Sequence, residues 1–72
     1  MDADEMFEKL GYKKQEHGTT RIIFVKPVDD DGYCLNSISF ERKQKLCVIH
    51  AGVSMQELQA INKKVEEMGW NE

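Results

Sequence analysis

Few side chains in this chain could do chemistry, and their spacing argues against most reactions. The histidines are His17 and His50; the cysteines are Cys34 and Cys47. A zinc site needs such side chains to converge on one point. His17-Gly18 is instead a turn signal. His50 falls at the end of an expected strand, where it would share a face with Asn36. Cys34 and Cys47 are expected on opposite faces of a sheet, too far apart for a disulfide, so both should stay reduced. A Cys–His nucleophile pair needs hydrogen-bond reach and an orienting third group. Cys47 and His50 lie in one expected strand at an odd spacing, which turns them to opposite faces. A small buried apolar residue is the ordinary role of such a cysteine.

Asp29-Asp30-Asp31-Gly32 opens like a calcium loop but lacks the rest of the pattern and its closing Glu. A solvated hairpin turn accounts for it. The chain contains no Gly-rich phosphate loop and no nucleophile elbow. It also has little room for a ligand-enclosing pocket. Neither catalysis nor a cofactor nor a bound metal is expected. The basic run Arg42, Lys43 and Lys45, with Tyr33 or Tyr12 nearby, is the candidate nucleic-acid contact. The net charge of −3 argues against it, and a solvated turn explains the run as well.

The 72 residues are enough for one domain with a modest core. With 32% charged and 40% hydrophobic residues the composition is globular rather than disordered. No apolar run reaches the roughly 18 residues of a membrane span. The acidic start, Met1-Asp2-Ala3-Asp4-Glu5, does not resemble a signal peptide. A cytoplasmic protein is the expectation, and the sparse cysteines fit it.

The element around which the chain is organised is a helix over Ser54 to Trp70. Met55, Leu58, Ile61, Val65 and Met68 recur at steps of three and four, which predicts one apolar stripe. Ser54 and Glu57 form a capping box, and Gly69 suits a left-handed C′ position with Trp70 folding back onto Val65. Glu66 and Glu67 sit in the last turn, where the macrodipole disfavours acids. Asp2 to Leu10 predicts a shorter helix with the same ending: Gly11 as C′ and Tyr12 packing on Phe7. Phe7 and Leu10 should fill the edge of the core.

Between the helices, Tyr12 to Glu16 predicts a charged edge strand. Thr20 to Val28 predicts a central strand, apolar on both faces. Tyr33 to Glu41 follows, its Ile38 and Phe40 facing the core. A three-residue loop, Arg42-Lys43-Gln44, then sets Phe40 opposite Leu46 and Ile38 opposite Val48 in a last strand, Leu46 to His50. The expected fold is α+β, an antiparallel meander of three to four strands with a short N-terminal and a long C-terminal helix packed on it. In that register the second sheet face carries Ile23, Val25, Leu35, Cys47 and Ile49. It is more apolar than a solvated face should be, so either the first helix or a partner covers it.

The opening Met6-Phe7-Glu8-Lys9-Leu10-Gly11-Tyr12, the central Ile38-Ser39-Phe40 and the ending Ala60 to Trp70 resemble a group of small uncharacterised proteins of bacteriophages and prophages of Gram-positive bacteria. The resemblance covers most of the chain and brings no activity, ligand or catalytic residues. It implies a phage-type accessory protein working inside a bacterial cell. With the two-sided strands, it leads to a non-enzymatic interaction module that binds another protein or a second copy of itself. Ile23, Val25, Leu35 and Ile49 are the candidate contacts.

Overall fold

The computed structural model describes residues 1–27 and 34–70, with side chains described at all of these except positions 17, 34 and 35. The expected Asp29–Gly32 hairpin loop and Tyr33 therefore lie outside the described residues, as does the Leu35 side chain.

The elements run α1 (Ala3–Lys9), β1 (Lys13–His17), β2 (Arg21–Pro27), β3 (Cys34–Glu41), β4 (Leu46–Ile49) and α2 (Met55–Glu67). The strands form one antiparallel sheet in the order β1-β2-β3-β4. This is the expected α+β meander, with the charged strand at its edge.

Both helices begin and end as their sequences dictate. Asp2 Oδ1 accepts from the Glu5 N–H at 2.8 Å. Around Ser54 both halves of the capping box are made. At the far ends, Gly11 (φ 94°) and Gly69 (φ 72°) take the left-handed conformation that only glycine adopts without strain. The N–H of Tyr12 then returns to the Phe7 carbonyl and that of Trp70 to the Val65 carbonyl, each at 3.0 Å. These are Schellman endings, and each throws an aromatic ring back onto the core. Tyr12 meets Phe7 edge-on at 5.6 Å, and Trp70 lies 6.1 Å from Phe40.

Phe7 is fully buried at the centre of the core, not at its edge. It stacks on Phe24 at 4.1 Å and meets Phe40 edge-on at 6.2 Å. Ile22, Ile38, Ala60 and Ile61 complete that cluster. One sheet face thus receives both helices. They lie antiparallel: Ala3 and Asp4 stand beside Glu67 and Lys64, and Tyr12 stands beside Glu57. The buried side of α2 is Ala60, Ile61 and Lys64, while Met55 is 70% exposed and Leu58 stands at the rim. The expected stripe is therefore rotated. The side of α2 that meets α1 and Tyr12 is bonded through Glu57, Lys64 and Glu67, so polar residues occupy positions that apolar periodicity does not reveal.

The β3–β4 hairpin differs from expectation. Glu41 pairs with Leu46, Phe40 with Cys47 and Ile38 with Ile49. The loop is Arg42 to Lys45, one residue longer, and Lys45 rather than Gln44 takes the positive φ, 56°. Glu41 is the cause. Its two carboxylate oxygens accept from the N–H groups of Lys43 and Gln44, at 3.0 and 2.7 Å, and stabilise the wider turn. A slip of one residue exchanges the faces of a strand. Leu46 and Val48 therefore point away from the helices, 47% and 56% exposed, while Cys47 and Ile49 join the helix side. Ile49 is thus no part of the second face. Cys47 is a free thiol. The face taken by the Cys34 side chain lies outside the described residues. Cys47 lies across from Phe40, and Cys34 is about 20 Å further along that strand at 3.3 Å per residue, beyond disulfide reach.

A left-handed lysine is strained by its Cβ. Lys45→Gly should therefore raise stability by roughly 0.5–1 kcal/mol, read from urea unfolding. In the three-residue register Lys45 would be an extended strand residue, and the same change would lower stability.

Candidate interaction surface and the buried polar hub

Because α1 and α2 share one face, the other face of the sheet is open. Cross-strand pairing sets its side chains in rows: Gln15, Ile23, Ser39 and Val48 across the middle, and Lys13, Val25 and Ser37 beside them. Ile23 and Val25 are half-buried and form one apolar ridge along β2; Leu46 and Val48 form another along β4. The small side chains of Ser37 and Ser39 lie between them on β3. The face is therefore a shallow trough with apolar walls and a serine floor. Of the expected contacts, Ile23 and Val25 belong to it; Leu46 and Val48 replace Ile49.

The basic run occupies the β3–β4 tip, at the end of the sheet away from Tyr12. Tyr12 follows α1 and neighbours Lys13, which pairs with Val25, whereas the tip adjoins Arg21 and Glu41. Arg42 Nη1 donates to the Thr19 carbonyl at 2.7 Å, so the guanidinium braces two adjacent turns. Lys43 and Lys45 are exposed, and the Glu41 carboxylate beside them accepts from the Lys43 backbone N–H at 3.0 Å. Tyr12 is therefore not beside the basic run, and Tyr33 lies outside the described residues.

His50 donates its backbone N–H to Ser37 at 2.9 Å, which places it on the face of Ser37 and not of Asn36. Burial pushes the Cys47 thiol up from its ordinary value, so it is a poorer nucleophile than a solvated cysteine. Among the described residues no three His, Cys, Asp or Glu side chains stand together as a metal set would. A cleft of about 370 Å³ opens between α1 and β1, lined by Asp4, Glu8, Tyr12, Lys13, Lys14 and Phe24. Asp4 is bonded there by Lys14 at 2.8 Å and by Lys64 at 3.1 Å. Partial burial opposes ionisation of Asp4, but the two lysines outweigh it and hold its carboxyl below the ordinary value. No described helix is long and apolar enough to cross a membrane.

The polar contacts that matter most to the structure are ones that spacing in the sequence does not reveal. Tyr12 donates its hydroxyl to Glu57 and accepts from Asn36 Nδ2 at 3.1 Å. Asn36 is buried on the core face of β3, near the strand's N-terminal end and beyond the last pair with β4. Its Nδ2 also donates to the Gly52 carbonyl at 3.3 Å, and its Oδ1 accepts from Ser37 and Ala51 N–H groups at 2.9 Å each. One asparagine thus holds the end of α1 and the β4–α2 linker, and the hydroxyl of Tyr12 joins both to α2. The signal for it was a lone amide at a core-facing position of an alternating strand. Burial and then the Glu57 carboxylate raise the Tyr12 hydroxyl to about 12. The hydrogen bond from Tyr12 is in turn the main reason Glu57 lies below its ordinary value.

Compared with protein families, curated proteins and solved structures, the chain matches none.

The neutral Tyr12 hydroxyl is favoured by folding. Its contribution is complete below the ordinary tyrosine value near 10 and is lost as pH rises through about 12. A shift of that size corresponds to roughly 2–3 kcal/mol. Tyr12→Phe should cost roughly 1–3 kcal/mol at neutral pH, since Asn36 and Glu57 lose a partner. The gap between variant and native protein in urea unfolding should narrow from pH 9 to pH 12. A gap that stays constant would show that the hydroxyl is not held neutral.

Proposed function

We propose that this chain is a non-enzymatic protein-interaction module whose binding surface is the open sheet face. The observation that carries the reading is the placement of both helices on one side of a sheet whose other side bears two apolar ridges. A solvated antiparallel face ordinarily alternates to polar residues, and exposed apolar patches commonly mark contact surfaces. Serines between the ridges leave space for a partner's side chains. Asp4 and Lys14 in the α1–β1 cleft are engaged in ion pairs that, with Lys64, join the helices and the sheet edge, which suits a supporting role. The resemblance to small phage and prophage proteins supports an accessory role in the bacterial cytoplasm as the setting.

The test is a double variant, Ile23→Lys with Val25→Lys. Both side chains lie on the open face, so the fold should be kept and stability should change by less than about 1 kcal/mol. Immobilised native protein should retain a specific protein from bacterial lysate that the double variant does not. Unfolding of the variant would mean that this face is core, and equal retention by both would place binding elsewhere.

A further inference from the structure

We infer that β4 pairs antiparallel with β4 of a second copy of this chain, across a two-fold axis at Val48. The proposal deepens the interaction reading by naming one partner and the strand it uses.

The two edges of the sheet are unlike. The outer strand β1 carries Lys13, Lys14 and Glu16, charges that discourage pairing. The other edge, β4, reads Leu-Cys-Val-Ile and has no charge at all. Leu46, Val48 and Ile49 are exposed on it, and Met55 and Leu58 are exposed on the helix that follows.

The hydrogen-bond phase of this edge fixes how it can pair. The His50 N–H bonds to Ser37, so by the two-residue alternation of an antiparallel ladder Val48 and Leu46 also bond inward to β3. The N–H and C=O groups of Cys47 and Ile49 therefore point to the open edge. The extended run is limited on both sides. Lys45 is left-handed and cannot continue it, and the Ala51 N–H is taken by Asn36 Oδ1. The run Leu46 to His50 that remains has Val48 at its centre, with one outward-facing residue on each side.

A second copy is self-complementary to this pattern. With the two-fold at Val48, Cys47 faces Ile49 of the second copy and Ile49 faces its Cys47. Every outward donor meets an outward acceptor. Val48 meets Val48 of the second copy as a close, non-hydrogen-bonded pair on the trough side. Cys47 and Ile49 meet on the helix side. The two basic tips fall at opposite ends of the pair, so like charges stay apart. The product is one eight-stranded sheet, in which the two troughs lie on the same side. Pairing through Cys47 as the centre instead would require Lys45 to be extended, which its φ forbids.

Two variants test this. Val48→Lys sets two like charges on the axis without touching the core, since Val48 is 56% exposed. Light scattering up to about 1 mM, where even weak dimers populate, should give a dimer for the native chain. Val48→Lys should keep the native circular dichroism and bind itself at least roughly tenfold more weakly. Val48→Cys, with Cys34 and Cys47 changed to serine, should oxidise to an interchain disulfide, because Cα atoms of such a pair lie about 4.5 Å apart. Leu46→Cys in the same background should not, since its copies are about 13 Å apart along the strands. A native chain that stays monomeric, a Val48→Lys dimer as tight as the native one, or equal cross-linking at positions 46 and 48 would each overturn the proposal. A monomer that still captures a partner through Ile23 and Val25 would leave the module reading standing. A Val48-centred dimer that captures nothing would remove only that reading.

Discussion

The rest of the structure depends on the hydroxyl of Tyr12 and the two groups that hold it. Asn36 donates to it from the N-terminal part of β3, and Glu57 accepts from it at the start of α2. A polar group taken out of water is costly unless its partners are supplied. Here they are supplied in full: among the described residues no buried side-chain nitrogen or oxygen lacks a partner. Satisfaction of this kind is positional. Asn36 can bond Ala51, Gly52 and Tyr12 together only if α1 ends, β4 ends and α2 begins at one corner of the core face. Both helices are thereby committed to one side of the sheet, and the opposite side is left bare.

A second polar joint secures the other end of the helix pair. Glu67 accepts from the Ala3 N–H at 2.9 Å, and Lys64 reaches Asp4. An acid in the last turn of α2 is unfavourable to that helix, yet it lies at the first turn of α1, where unsatisfied N–H groups favour negative charge. The misplaced charge of one helix is the cap of the other. Lys64 is buried to 8% exposure because its ammonium is paired with Asp4 and lies over the ring of Phe24, 5.8 Å from its centroid.

Local chemistry was legible in the sequence and long-range pairing was not. Ser54, Glu57, Gly11 and Gly69 announce their helix ends because capping involves residues within one turn. The strands announce themselves through β-branched and aromatic content. Failures came where a side chain acts at a distance or in two roles. Glu57 closes the box with Ser54 through one oxygen and takes Tyr12 with the other, and only the first role has a spacing. Glu41 looks like an ordinary strand end, yet its carboxylate widens the hairpin and exchanges the faces of Leu46, Cys47, Val48 and Ile49. That single residue of register moved Ile49 off the candidate surface and put Val48 on it. Asn36, Lys64 and Glu67 read as solvent-facing by type and are joints by position.

The burial of Phe7 at the centre of the core also bears on how the chain is made. Its ring is closed in by Phe24, Phe40 and α2, all synthesised after it. A seven-residue helix is marginal on its own in water. On the ribosome, the opening segment therefore has no lasting place to dock while the strands emerge, and the meander, built from neighbouring pairs, can assemble ahead of it. The nascent sheet carries an uncovered aromatic face until α2 leaves the exit tunnel. Both helices are needed to close over that face.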